Sequence, residues 1–154
     1  MRLSGYLSAE LVTTNLVGAT AEEVIDRIAS YFVGAGVVED GGEIREALLA
    51  RERSHTTSMG NGVAIPHATI PELSETRLMI AVAPEAIPFG PPDAEPVNVF
   101  FVLLSPPGRE SEHIKLLARV CRLSRHPGFL DDLAAAGGPA VALEIVRRVD
   151  AEHA

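Results

Sequence analysis

Two histidines and an arginine carry the chemistry this sequence could do. His67 ends the run "GNGVAIPH". Gly60, Asn61 and Gly62 make a turn that tolerates positive φ, and Val63, Ala64 and Ile65 form a short apolar strand. Pro66 fixes its own φ and keeps Ile65 extended, so the backbone under His67 is stiff. Rigid delivery of an imidazole at a strand end suits a reactive group. The same residues also fit a histidine lying in the loop after a strand that Pro66 has ended. His113 falls in the first turns of a helix after "SPPGRESE", where free backbone N–H groups favour anions. Read alone, it fits a surface histidine equally well. Arg51 and Arg53 flank Glu52 near the end of an earlier helix. A guanidinium there can hold a pair of phosphate oxygens or simply stabilise the helix C-terminus.

Other chemistries lack their residues. His67 and His113 suggest no third metal ligand, and Cys121 is the only cysteine, so neither an intramolecular disulfide nor a cysteine-based metal cluster can form. "GNG" has neither the lysine nor the spacing of a phosphate-binding P-loop, and no G-x-G-x-x-G opens a helix. H-E-x-x-H and G-x-S-x-G are absent. His55 and His126 read as a loop residue and a helix-ending residue, and His153 falls in a frayed tail.

The elements that must position these side chains follow from periodicity. The chain has 154 residues, 47% of them hydrophobic and 22% charged, which fits one globular domain with no linker. With aromatic residues at 5%, the core must rest on Ala, Val, Leu and Ile. A strand is expected over 10–17. A helix follows from Thr20 and Glu23, a capping box, with Val24, Ile28, Ala29 and Phe32 on its apolar face. A second helix runs through "GGEIREALLARERS". Residues 62–66 and 77–84 read as strands. Residues 96–106, "PVNVFFVLLSP", are apolar almost throughout and so read as a strand buried on both faces. Three helices close the chain, the first with Ile114, Leu117, Val120 and Cys121 facing inward. The expected fold is a three-layer α/β/α sandwich with a central mixed sheet.

The formal charge of −8 argues against a sequence-independent nucleic-acid binder. No apolar run reaches the ~20 residues of a membrane span, so a cytoplasmic location and no membrane insertion are expected.

Together, "RERSHTTSMGNGVAIPHA" and "SEHIKLLARV" resemble the type-2 enzyme IIA domain of the bacterial phosphotransferase system. That family includes mannitol and fructose-specific domains and free-standing nitrogen-regulatory proteins. Its pattern of Arg, Thr, Gly, Ala, Pro and His falls on Arg51, Thr57, Gly62, Ala64, Pro66 and His67, and its Glu-His falls on Glu112 and His113. The resemblance implies that His67 accepts a phosphoryl group from phospho-HPr or a regulatory homologue. It also implies that His113 supports the transfer, that Arg51 stabilises the phosphate and that Thr57 contacts it, with no cofactor or metal. Without an attached IIB segment, the expectation leans towards a regulatory protein that signals through its phosphorylation state. The alternative is a sugar-specific component that hands the group to a IIB domain. One position departs from the pattern: Ala68 stands where the family usually has glycine.

Overall fold

A computed structural model describes residues 2–153. Its strands are β1 (Val12–Thr13), β2 (Val63–Ala64), β3 (His67–Thr69), β4 (Arg77–Ile87) and β5 (Val97–Ser105). Its helices are α1 (Ala21–Gly34), α2 (Gly42–Ser54), α3 (Glu110–Ser124), α4 (Phe129–Ala134) and α5 (Pro139–Glu152). The sheet is mixed. Its order is β1-β4-β5-β2, with β3 also pairing β5, and only the β4–β5 pair is antiparallel.

Both faces of the sheet are apolar because both are covered. Successive strand side chains point to opposite faces. In β5, Phe100, Val102 and Leu104 join the core under α1 and α2, whereas Val99, Phe101 and Leu103 join the core under α3, α4 and α5. The expected three layers are therefore present, as an open α/β fold. Thr20 caps α1 as its sequence requires: its hydroxyl accepts from the Glu23 N–H at 3.2 Å, and the Glu23 carboxylate accepts from the Ala19 N–H at 2.8 Å.

Several elements differ from expectation. The expected strand over 10–17 shrinks to β1, because Ala9–Leu11 forms a 3₁₀ turn ahead of it. β4 runs past Pro84 to Ile87, and its register with β5 shifts between Val82 and Ile87, so the Pro-rich stretch begins inside the sheet. In α3 the buried residues are Leu116, Arg119, Val120 and Leu123, and Ile114 is 65% exposed. The apolar stripe is displaced because Arg119 occupies an inward position, where it pairs with the buried carboxylate of Asp150. His153 is not frayed: its carbonyl accepts from Arg119 Nη1 at 2.6 Å, and its Nε2 lies 2.8 Å from Nδ1 of His126.

Candidate functional site

The edge of the sheet beside β5 is one strand broken in two. Gly60, Asn61 and Gly62 all have positive φ, so the chain reverses there and β2 enters parallel to β5. Pro66 then interrupts the edge. It donates nothing, but its carbonyl accepts from the Leu103 N–H at 3.0 Å, which keeps the chain on the sheet. His67 opens β3, opposite Leu103. Its imidazole is thus carried by the sheet and not by a loop.

The environment of His67 fixes which nitrogen is free. Nδ1 lies 2.7 Å from the Ile65 carbonyl oxygen, which can only accept, so Nδ1 carries the proton and Nε2 keeps its lone pair. Burial pushes the pKa of His67 below its ordinary value of 6.5, and the Arg51 cation adds to that. The Ile65 carbonyl and Glu52 oppose it without prevailing. A lowered pKa means that the folded protein binds fewer protons here than the unfolded chain. The group's contribution to stability is therefore present above pH 6.5 and is lost as pH falls through the folded value. A titration of the His67 ring protons by NMR should give a midpoint below 6.5, and a midpoint at or above 6.5 would contradict this account.

His113 meets His67 across the end of β5, with ring centroids 5.5 Å apart and planes tilted by 58°. Its Nδ1 is 2.6 Å from the hydroxyl of Ser105, the last residue of β5. Burial, followed by the neighbouring His67, lowers its pKa as well. Neighbouring Glu112 faces elsewhere, as helical spacing requires. Its carboxylate accepts from the Tyr6 hydroxyl at 2.8 Å and from the Thr76 hydroxyl, and Arg109 lies 3.6 Å away. Thr76, then Tyr6 and Arg109, hold Glu112 below the usual carboxylate range despite partial burial. These bonds tie the first turn of α3, and with it His113, to the N-terminal 3₁₀ turn and the residue before β4.

Arg51 stands close enough to depress the His67 pKa, while its Nη1 donates to the His55 carbonyl at 2.9 Å. Thr57 is buried, and its hydroxyl donates to Glu52 Oε1 at 2.6 Å. The Thr57 N–H also bonds to Glu52 Oε2 at 2.8 Å, and the Thr57 carbonyl accepts from the Ile65 N–H at 3.0 Å. With its proton held by Glu52, Thr57 is a brace between the end of α2 and the strand carrying His67. Ala68 takes an extended conformation in β3, and its methyl packs against the core under α1 and α2, so no glycine is needed there.

The sequence pattern missed Glu52 and Ser105. Glu52 lies between two arginines, and its spacing to Thr57 has no motif to mark it. Ser105 ends the buried strand β5, and nothing local links it to a histidine eight residues later.

The larger cavities lie elsewhere. One groove of about 540 Å³ has Leu49, Arg53, His55 and Phe89 in its lining, and another of about 750 Å³ runs past Asn98, Arg125 and His126. Neither includes His67 or His113 in its lining, and both imidazoles are half-buried. Among the described residues no set of three or more His, Cys, Asp or Glu side chains is placed to hold a metal ion. No described helix is long and apolar enough to cross a membrane.

Comparison with known proteins converges on one family. Residues 5–149 match the family described as the phosphoenolpyruvate-dependent sugar phosphotransferase system, EIIA 2. The fructose-like EIIA component of Escherichia coli (strain K12) is 29% identical over 127 residues, covering 82% of this chain and 86% of that protein. A nitrogen regulatory protein of Bradyrhizobium diazoefficiens is 41% identical over 90 residues, covering 58% of this chain and 59% of that protein. The crystal structure of nitrogen regulatory protein IIA-Ntr from Neisseria meningitidis shares the fold. Its TM-score is 0.84 at 20% identity, with 94% of this chain and 98% of that one covered.

Proposed function

Because the chain belongs to the type-2 EIIA family of the phosphoenolpyruvate-dependent sugar phosphotransferase system, we propose that it carries a phosphoryl group on Nε2 of His67. The donor is an HPr-like phosphohistidine protein in the cytoplasm, and residues 1–154 act as one IIA unit. The observation that carries the proposal is the Nδ1–H bond to the Ile65 carbonyl, which leaves a neutral lone pair on Nε2.

In the transfer, the Nε2 lone pair attacks phosphorus in line. A P–N bond forms on His67 while the donor's P–N bond breaks, and its electron pair returns to the donor imidazole. Nδ1 of His67 keeps its proton throughout. The ring becomes more positive, which strengthens its bond to the Ile65 carbonyl, and nearby Glu52 favours that charge. The phosphoryl oxygens, which bear the negative charge, are met by Arg51 and His113.

The favoured role is regulatory, with the phosphorylation state of His67 deciding which target protein is bound. Its support is the segment 41% identical to a nitrogen regulatory protein. The second reading, a sugar-specific carrier that discharges to a IIB domain, is supported by the longer match to a fructose-like component.

Incubation with labelled phosphoenolpyruvate, enzyme I and HPr should give an acid-labile phosphoryl adduct, and its absence would overturn the carrier proposal. Adding fructose- and mannitol-type IIB domains then separates the two roles. Retention of the label supports regulation, whereas rapid discharge supports sugar transport. In the same assay His113→Ala should still be labelled, but about 10²-fold more slowly, the usual cost of losing one donor to a charged transition state. Labelling at the wild-type rate would remove His113 from the mechanism.

A further inference from the structure

We infer that Ser105 is a positioning residue, which sets the tautomer of His113 so that its Nε2–H, rather than a bare lone pair, meets the phosphoryl group. This rests on His67 being the acceptor, as proposed above.

Ser105 is 1% exposed, and its hydroxyl has one hydrogen-bond partner among the described residues, Nδ1 of His113 at 2.6 Å. That pair can be made in two ways. If His113 donated from Nδ1, the serine proton would be buried without an acceptor, at the full desolvation cost of that group. If the serine donates, both groups are satisfied and Nδ1 is the acceptor. The second arrangement places the imidazole proton on Nε2.

The two facing rings thereby carry opposite tautomers. His67 is protonated on Nδ1, held by a backbone carbonyl that cannot donate. His113 is protonated on Nε2, held by a hydroxyl with nowhere else to donate. A neutral pair arranged in this way offers one nucleophilic nitrogen and one hydrogen-bond donor. Had His113 the same tautomer as His67, its free nitrogen would turn a lone pair towards phosphoryl oxygens and repel them. Ser105 belongs to β5, whose Leu103 lies opposite His67, so the strand that pairs with β3 at His67 also orients the second imidazole.

The test combines a spectroscopic and a kinetic measurement on the full chain. Nitrogen NMR of the unphosphorylated protein should show His113 protonated on Nε2 and His67 on Nδ1. A wild-type His113 protonated on Nδ1 overturns the inference. In Ser105→Ala the His113 tautomers should mix while His67 is unchanged, and phosphoryl transfer from HPr should slow about tenfold, the worth of one ordinary hydrogen bond. Ser105→Thr, which keeps the hydroxyl, should restore both. Introduced into His113→Ala, the Ser105→Ala change should have no further effect, because the serine acts through the imidazole. A tenfold loss that persists without His113 would make Ser105 merely structural and overturn the inference. The tautomer measurement needs no phosphorylation, so a protein that takes no label refutes the carrier proposal while His113 is still read directly.

Discussion

His67→Gln should fold normally and take up no phosphoryl group from phospho-HPr. Glutamine retains some of the size and polarity of histidine but has no basic lone pair, so it cannot form the P–N bond on which the carrier role depends. Uptake should drop to background, a loss on the order of 10⁴-fold or more, as when a covalent nucleophile is removed. Thermal stability should stay within about 0.5 kcal/mol of wild type, because the side chain is only half-buried and its backbone pairing with β5 is unaffected. The check is incorporation of labelled phosphate alongside thermal unfolding. A folded variant that still carries an acid-labile label would move the acceptor to another residue, with His113 the first to examine.

Asp150→Ala should have the largest effect on stability. Asp150 is 1% exposed and Arg119 8%, and Oδ1 of Asp150 accepts from Arg119 Nε at 3.0 Å and Nη2 at 2.8 Å. The same carboxylate receives the Leu3 and Ser4 N–H groups, each at 3.1 Å. Removing it leaves a guanidinium buried without a counter-charge and two backbone donors without acceptors. Breaking such a pair costs about 3–5 kcal/mol. At roughly 2–4 °C per kcal/mol for a chain of this size, the melting temperature should fall by about 6–20 °C. Arg119→Leu added to Asp150→Ala should recover much of that, since a buried pair replaced by apolar groups is often no less stable. A single variant within about 1 kcal/mol of wild type would show that the pair is hydrated in solution.

How far the sequence could be read depended on whether a feature was local. The α1 cap, the turn at residues 60–62 and the doubly buried β5 follow from residues within a few positions of one another, and they appear as expected. His67, His113 and Arg51 each fit an ordinary structural role when read alone, and it is the family pattern over both motifs that places them at one site. What could not be read was the identity of distant partners. Arg119 looks like a solvent-facing residue until Asp150, thirty-one positions later, is seen to neutralise it. The family resemblance offers Thr57 as a phosphate contact, and spacing alone does not show that Glu52, five residues earlier, takes its proton. The placement of His67 was undecided for a related reason. Pro66 ends a strand by local rules, yet β5 supplies a second stretch of pairing on its far side and returns the chain to the sheet.

The carboxylate of Asp150 also has a topological consequence. It joins Leu3 and Ser4 to the last helix, so the stretch from residue 3 to residue 150 runs as a nearly closed ring fastened at one clasp. In a ring, the order of the sheet does not depend on where the chain is cut. A short tether across the clasp would allow new ends in the exposed stretch at 91–93, between β4 and β5, leaving β3 and α3 each continuous. A circularly permuted chain would then present the same two imidazoles from a differently ordered sequence, one in which His113 comes before His67.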